Sequence, residues 1–186
     1  MQTSNEVNIE DINESNLKDI PELCRGCVYW EFPEAFEKDE KDPNKKWELD
    51  SKKREWFVQT MKEFGTCGKI AYQKGKPIAY VQYAPAARLP NIKDYEAKAV
   101  GKLEEGVIFL SCLFITSEAM RDKGVGKALL QNIVEDLKRR GFKALETFAR
   151  RSEADNPSGP MKFYIKNGFH VKDNTDPEYP LVRLYL

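Results

Sequence analysis

The run GVIFLSCLFI, Gly106 to Ile115, constrains this 186-residue chain more than any other stretch, because nearly every position in it is apolar. A strand with one wet face alternates polar and apolar residues, so an unbroken apolar run reads as a strand covered on both faces. Behind it comes RDKGVGKALL, Arg121 to Leu130, which sets Gly124 and Gly126 directly ahead of a helical pattern. Val125, Leu129, Ile133 and Leu137 recur at the helical period and predict the buried stripe. Lys138, Arg139 and Arg140 fill the last turn, where the helix dipole favours cations, and Gly141 supplies a left-handed stop. A strand end, a glycine loop and a helix N-terminus with free N–H groups together form an anion site. Main-chain amides from Arg121 to Lys127 are therefore expected to face a diphosphate, with Arg121 and Lys123 adding positive charge. The alternative is that the glycines only turn the chain. Neither the Gly-Lys-Ser/Thr ending of a triphosphate loop nor a Gly-x-Gly-x-x-Gly dinucleotide fingerprint is present.

The rest of the pattern alternates elements. EVNIEDIN predicts a first strand, and SKKREWFVQTMKEFG predicts a helix with Phe57, Met61 and Phe64 on one face and Gly65 as its stop. Glu31 to Asp50 is charged, Pro-interrupted and aperiodic, and reads as a loop or short helix. CGKIAYQKGKPIAYVQYAP predicts two strands joined around Gln73 to Lys76. After the glycine helix come a strand, FKALETFA, a short helix from near Pro157 through MKFYIKNG to Gly168, and a terminal hairpin of FHV and LVRLYL. A chain of this length builds one domain with a real core.

Thirty Lys plus Arg balance thirty Asp plus Glu, so no field of one sign argues for nucleic acid or a membrane surface. The polar, acidic N-terminus lacks the order of a signal peptide, and no apolar run reaches spanning length, so the expected setting is cytoplasmic. Four cysteines, Cys24, Cys27, Cys67 and Cys112, are too few for a disulfide scaffold.

With the strand before it and FYIKNGF after it, the glycine loop resembles that of the GCN5-related N-acetyltransferase (GNAT) superfamily. The family signature Arg/Gln-x-x-Gly-x-Gly/Ala stands here as Arg121, Asp122, Lys123, Gly124, Val125, Gly126. A second landmark stands as Phe163-Tyr164 and Gly168-Phe169. The resemblance implies a single α/β (α+β) domain over residues 1–186, with a mixed, mostly antiparallel sheet, a splayed parallel strand pair and helices on both faces. It implies acetyl-CoA as co-substrate, with the loop from Arg121 to Lys127 on the pyrophosphate. Main-chain groups of Leu113, Phe114 and Ile115 would meet the pantetheine arm, and Asn156 would be a further contact. Ser117 stands where many relatives have Pro, with one residue more before Arg121.

By the same resemblance, Tyr164 is the acid for the departing thiolate and main-chain N–H groups at the end of the Val107 to Ile115 strand are the oxyanion donors. The region of about 28–66 would lie over the acceptor site, with Tyr29 and Trp30 shaping it. Partners would be acetyl-CoA and an amine, with no nucleic acid, membrane or metal, in a monomer or homodimer. A non-catalytic CoA-binding or regulatory module of the same fold is the alternative. Acetyl transfer also needs a base; Glu104, Glu105 and Glu146 read as solvated surface residues, and His170 as strand surface. The CRGCVYW stretch could be a thiol pair or half of a zinc site, but the other half is missing, and Cys24 and Cys27 read as small buried residues beside an aromatic cluster.

Overall fold

Alternation at the start of the chain gives β1, Val7–Asp11, which pairs antiparallel with β2, Gly68–Gln73, across a helical excursion. That excursion holds the short α1 (Glu22–Arg25) and α2 (Pro33–Asp39) and the long α3 (Lys46–Phe64). The segment read as aperiodic thus contains α2, a 3-10 turn at Pro43–Lys45 and the first turn of α3. Its order comes from local devices that periodicity does not reveal: Pro begins both helical pieces, and the Asp42 side chain accepts from the Asn44 amide. β2 turns through Lys74 and Gly75, both at positive φ (51° and 73°), into β3, Lys76–Pro85. Two positive-φ residues match the right-handed twist of the flanking strands.

β4 (Val107–Ile115), α4 (Val125–Arg139), β5 (Ala144–Phe148), α5 (Met161–Lys166), β6 (His170–Asp173) and β7 (Leu181–Tyr185) complete the chain in the expected order. This computed structural model describes residues 6–95, 104–116, 120–121, 123–152 and 159–186; Asp122, Asn156 and Pro157 lie outside them. Among the described residues the strands form one seven-stranded sheet, ordered β1-β2-β3-β4-β5-β7-β6. Every pairing is antiparallel except β4 with β5.

Helices cover both faces. On the first, α1 and α3 bring Cys24, Trp56 and Phe57 against Tyr80, Phe109 and Phe148. On the second, α4 lays Val125, Leu129, Ile133 and Leu137 on Val81, Tyr83, Ile108 and Leu145, with Tyr164 of α5 alongside. Each fully buried aliphatic of that stripe contributes roughly 1.5–3 kcal/mol relative to exposure, which outweighs the cost of placing glycines at the helix entrance.

One strand breaks its own alternation. β3 pairs Gln82 with Cys112 and Tyr83 with Leu110, leaving Ser111 as a bulge in β4. Ile108 and Leu110 before the bulge, and Leu113 and Ile115 after it, consequently face the same side, although their spacing differs in parity.

Glu146 corrects the reading of it as a solvated residue: it is buried, and its Oε1 accepts from Arg183 Nε at 2.7 Å and Lys172 Nζ at 3.0 Å. Glu104, half-exposed, bonds the same two cations and so ties the approach to β4 onto β7 and β6. A lone carboxylate in an apolar strand is affordable only with such partners, and they arrive from strands distant in sequence.

Candidate active site

The parallel pair β4 and β5 is bonded only at Val107, Ile108 and Phe109 opposite Ala144, Leu145 and Glu146. Past that point the strands part. Thr147 Oγ1 donates to the Leu110 carbonyl at 2.8 Å and marks the apex of the opening. Along β5 beyond the apex, the chain around Gly159 to Met161 takes the edge that β4 has left: the Arg150 amide donates to the Gly159 carbonyl and the Met161 amide to the Arg150 carbonyl.

The peptide groups of β4 alternate in direction. The Thr116 amide donates to the Ile78 carbonyl, so Phe114 likewise turns its groups to Tyr80, while those of Leu113 and Ile115 face the gap. Their side chains lie under the start of α4: a methyl added at Gly126 would rest 3.6 Å from Ile115, Leu113 and Phe163.

Gly124 caps α4 in a left-handed conformation, φ 82° and ψ 0°, and a methyl added there would meet nothing within 4 Å. The first helical bond runs from the Ala128 amide to the Gly124 carbonyl, so the amides before Ala128 form the helix's dipole-positive end. Arg121, Lys123 and Lys127 are exposed around it, giving a cradle with clear space at Gly124, main-chain donors that the helix does not use and positive charge. This is the environment a diphosphate needs.

Tyr164 projects from α5 to the apex, 2% exposed and packed edge-on between Phe163 and Phe169. Burial pushes its phenol well above the ordinary tyrosine value, opposed by a hydrogen bond with Thr147. Gly159 is required beside it, because an added methyl would come within 2.8 Å of the Tyr164 hydroxyl. Neither Thr147 nor Gly159 was legible as a site residue: a Thr in a strand and a Gly beside a Pro are ordinary occurrences.

On the first face, opposite the α4 cradle, the Trp30 ring stacks on Tyr95 and Phe148 and leans on Phe109. Trp30 is buried there, whereas Tyr29 is half-buried, with its hydroxyl 3.3 Å from that of Tyr95. Glu31, which sequence reasoning passed over, follows directly. It is 4% exposed; its Oε1 accepts from Lys53 Nζ at 2.6 Å and from Gln82 Nε2, while its Oε2 is buried without a donor. Gln82 is the register partner of Cys112, one residue past the bulge. Desolvation works against the charge on Lys53, but Glu31 and its hydrogen bond prevail and raise its pKa.

The cysteines sit in the same region, all as free thiols. Burial pushes Cys27 up to about 11 and Cys67 up to about 12, well away from thiolate chemistry at neutral pH. Among the described residues no three His, Cys, Asp or Glu side chains gather as a metal site would require.

A family model described as the Acetyltransferase (GNAT) family matches residues 27–169. The chain belongs to that family. No curated protein sequence matches this GNAT chain. Among solved structures it is similar to the PaiA N-acetyltransferase of Thermoplasma acidophilum in complex with coenzyme A, at TM-score 0.61 and 18% identity over 97% of this chain and 99% of that one. It is also similar to a GNAT family acetyltransferase of Brucella melitensis in complex with acetyl-CoA, at TM-score 0.56 and 14% identity over 98% and 89%. A third likeness is to the ribosomal-protein-S18-alanine N-acetyltransferase of Escherichia coli, at TM-score 0.54 and 15% identity over 97% and 94%. These identities establish a shared fold: the split sheet and the glycine-capped helix of this GNAT acetyltransferase are the family's architecture. No helix among the described residues is long and apolar enough to cross a membrane.

Proposed function

We propose that this acetyltransferase moves the acetyl group of acetyl-CoA to a primary amine by direct attack, with Tyr164 as general acid and Glu31 as proton acceptor. The observation that carries the reading is the Tyr164 hydroxyl beside Thr147 at the apex of the β4–β5 opening, kept protonated by burial. Acetyl-CoA supplies an activated acyl group. The α4 cradle from Arg121 to Lys127 holds its diphosphate, the peptide groups of Leu113 and Ile115 take its pantetheine arm, and Asn156 adds a contact. Phe114 holds β4 in register rather than contacting that arm.

The chemistry asks three things of the chain's own groups. The nitrogen–carbon bond forms as the carbon–sulfur bond breaks. Main-chain donors of β4 near the Ser111 bulge receive the developing oxyanion. The Tyr164 proton goes to the sulfur, and the proton of the attacking amine goes to Glu31 Oε2, a buried oxygen without another donor. Tyr29 and Trp30 wall the acceptor side, beneath the helical region of residues 28–66. Four unpaired thiols suit the reducing cytoplasm.

A panel of primary amines screened for thiol release from acetyl-CoA tests the proposal. Acceptor-dependent release is expected for at least one class. Tight acetyl-CoA binding without release from any amine would instead make the chain a CoA-binding module.

A further inference from the structure

Two residues past Phe148, the chain buries a guanidinium with two of its nitrogens unpartnered. Arg150 is 9% exposed, and its Nε and Nη1 are both buried without a hydrogen-bond partner. A buried charged donor left unpaired is strongly unfavourable, and such a group calls for a partner from outside the chain, a ligand among them. Its main chain is fully engaged: the amide bonds Gly159 and the carbonyl accepts from Met161, so the strand geometry fixes where the side chain starts.

That start lies on the acceptor side. Ala149 packs into the second-face cluster, and Phe148 and Arg150 on either side of it belong by alternation to the first face, with Trp30 and Tyr95. Among the described residues no carboxylate forms an ion pair with it, and Glu178 Oε1 accepts from the Ser152 amide instead. The neighbouring Arg151 differs, being exposed and bonded to Asn174. Cation and aromatic rings thus share one face. Arg150 lies about 7 Å along the strand from Phe148 at ordinary strand rise.

We propose that Arg150 is the anion-recognition residue of the acceptor site, so that the acceptor is an amine whose apolar or aromatic body carries a carboxylate. The body lies on Trp30, Tyr95 and Phe148, the carboxylate receives the Arg150 fork, and the amine points back toward the β4 bulge. A planar guanidinium offers two parallel N–H groups to a carboxylate, which a neutral amide cannot match. The inference rests on the acetyltransferase reading, and its test is separable from it.

The test uses the full chain and two probes of equal shape, 3-phenylpropionate and 3-phenylpropionamide, titrated by calorimetry and ligand-observed NMR. The acid is expected to bind at least tenfold more tightly than the amide. Arg150→Met is expected to erase that preference while leaving the acetyl-CoA-induced rise in melting temperature unchanged, and Arg150→Lys to recover part of the preference. Equal affinity for acid and amide, or no binding of either by the parent, overturns the proposal, and that comparison needs no variant to fold. Loss of the acetyl-CoA effect in Arg150→Met also overturns it, by assigning the guanidinium to the co-substrate. Absence of any acetyl-CoA effect in the parent would count against the acetyltransferase reading instead.

Discussion

The phenol of Tyr164 depends on a chain of small choices: Thr147 spends its proton on Leu110, Gly159 leaves room for the ring, and Phe163 and Phe169 box it in. Because burial raises its pKa, the hydroxyl is a proton donor throughout the working range and not a base. Tyr164→Phe keeps the ring while removing that proton. Turnover should fall by roughly a hundredfold or more, with affinity for acetyl-CoA within a few-fold of the parent, measured as kcat against cofactor Kd once an acceptor is found. Unchanged turnover at saturation would return Tyr164 to a packing role. Tyr164 and Gly124 were readable in sequence because a loop signature and a helix landmark flank them. Glu31, Thr147 and Arg150 were not, since a polar residue in an aperiodic stretch or at a strand end reads as wet until distant elements cover it. Glu146 was misread for the same reason.

At the scale of elements, α3 does more than cover the sheet: it carries Lys53 into the interior to meet Glu31, with side-chain exposures of 5% and 0%. Removing one member of a buried pair leaves the other charge uncompensated, typically at a cost of about 3–5 kcal/mol. Lys53→Met should therefore destabilise by about that much in urea unfolding, and adding Glu31→Gln should restore part of it. Two independent losses that simply add would show that the pair is not coupled. The helix was legible from Phe57, Met61 and Phe64, but its true start at Lys46 was not, because Trp47 and Leu49 of the first turn stand too sparsely among charged residues to show the period. The β4 bulge was likewise hidden: in a run where every residue but Ser111 is apolar, a slip in parity leaves little mark on the pattern, yet it re-aims the strand where it leaves β5.

Across the whole molecule, one sheet is shared by two cores and split between β4 and β5, with the glycine-capped helix on one side of the split and the aromatic wall with Glu31 and Arg150 on the other. The order of elements that builds this division follows from periodicity and glycine placement alone. The side chains that make it a site required the fold. The account stands on the cradle at Gly124 receiving the diphosphate of acetyl-CoA, and one measurement addresses that directly: the melting temperature of the parent and of Gly124→Val with and without millimolar acetyl-CoA. Ligand that binds only the folded chain raises the melting temperature by mass action, so the parent should shift upward by several degrees. The variant should melt cooperatively at a lower temperature, since a side chain at φ 82° costs about 1–2 kcal/mol, and should show no shift because its methyls fill the phosphate approach. A parent that does not respond to acetyl-CoA, or a variant that responds as fully as the parent, would contradict the account.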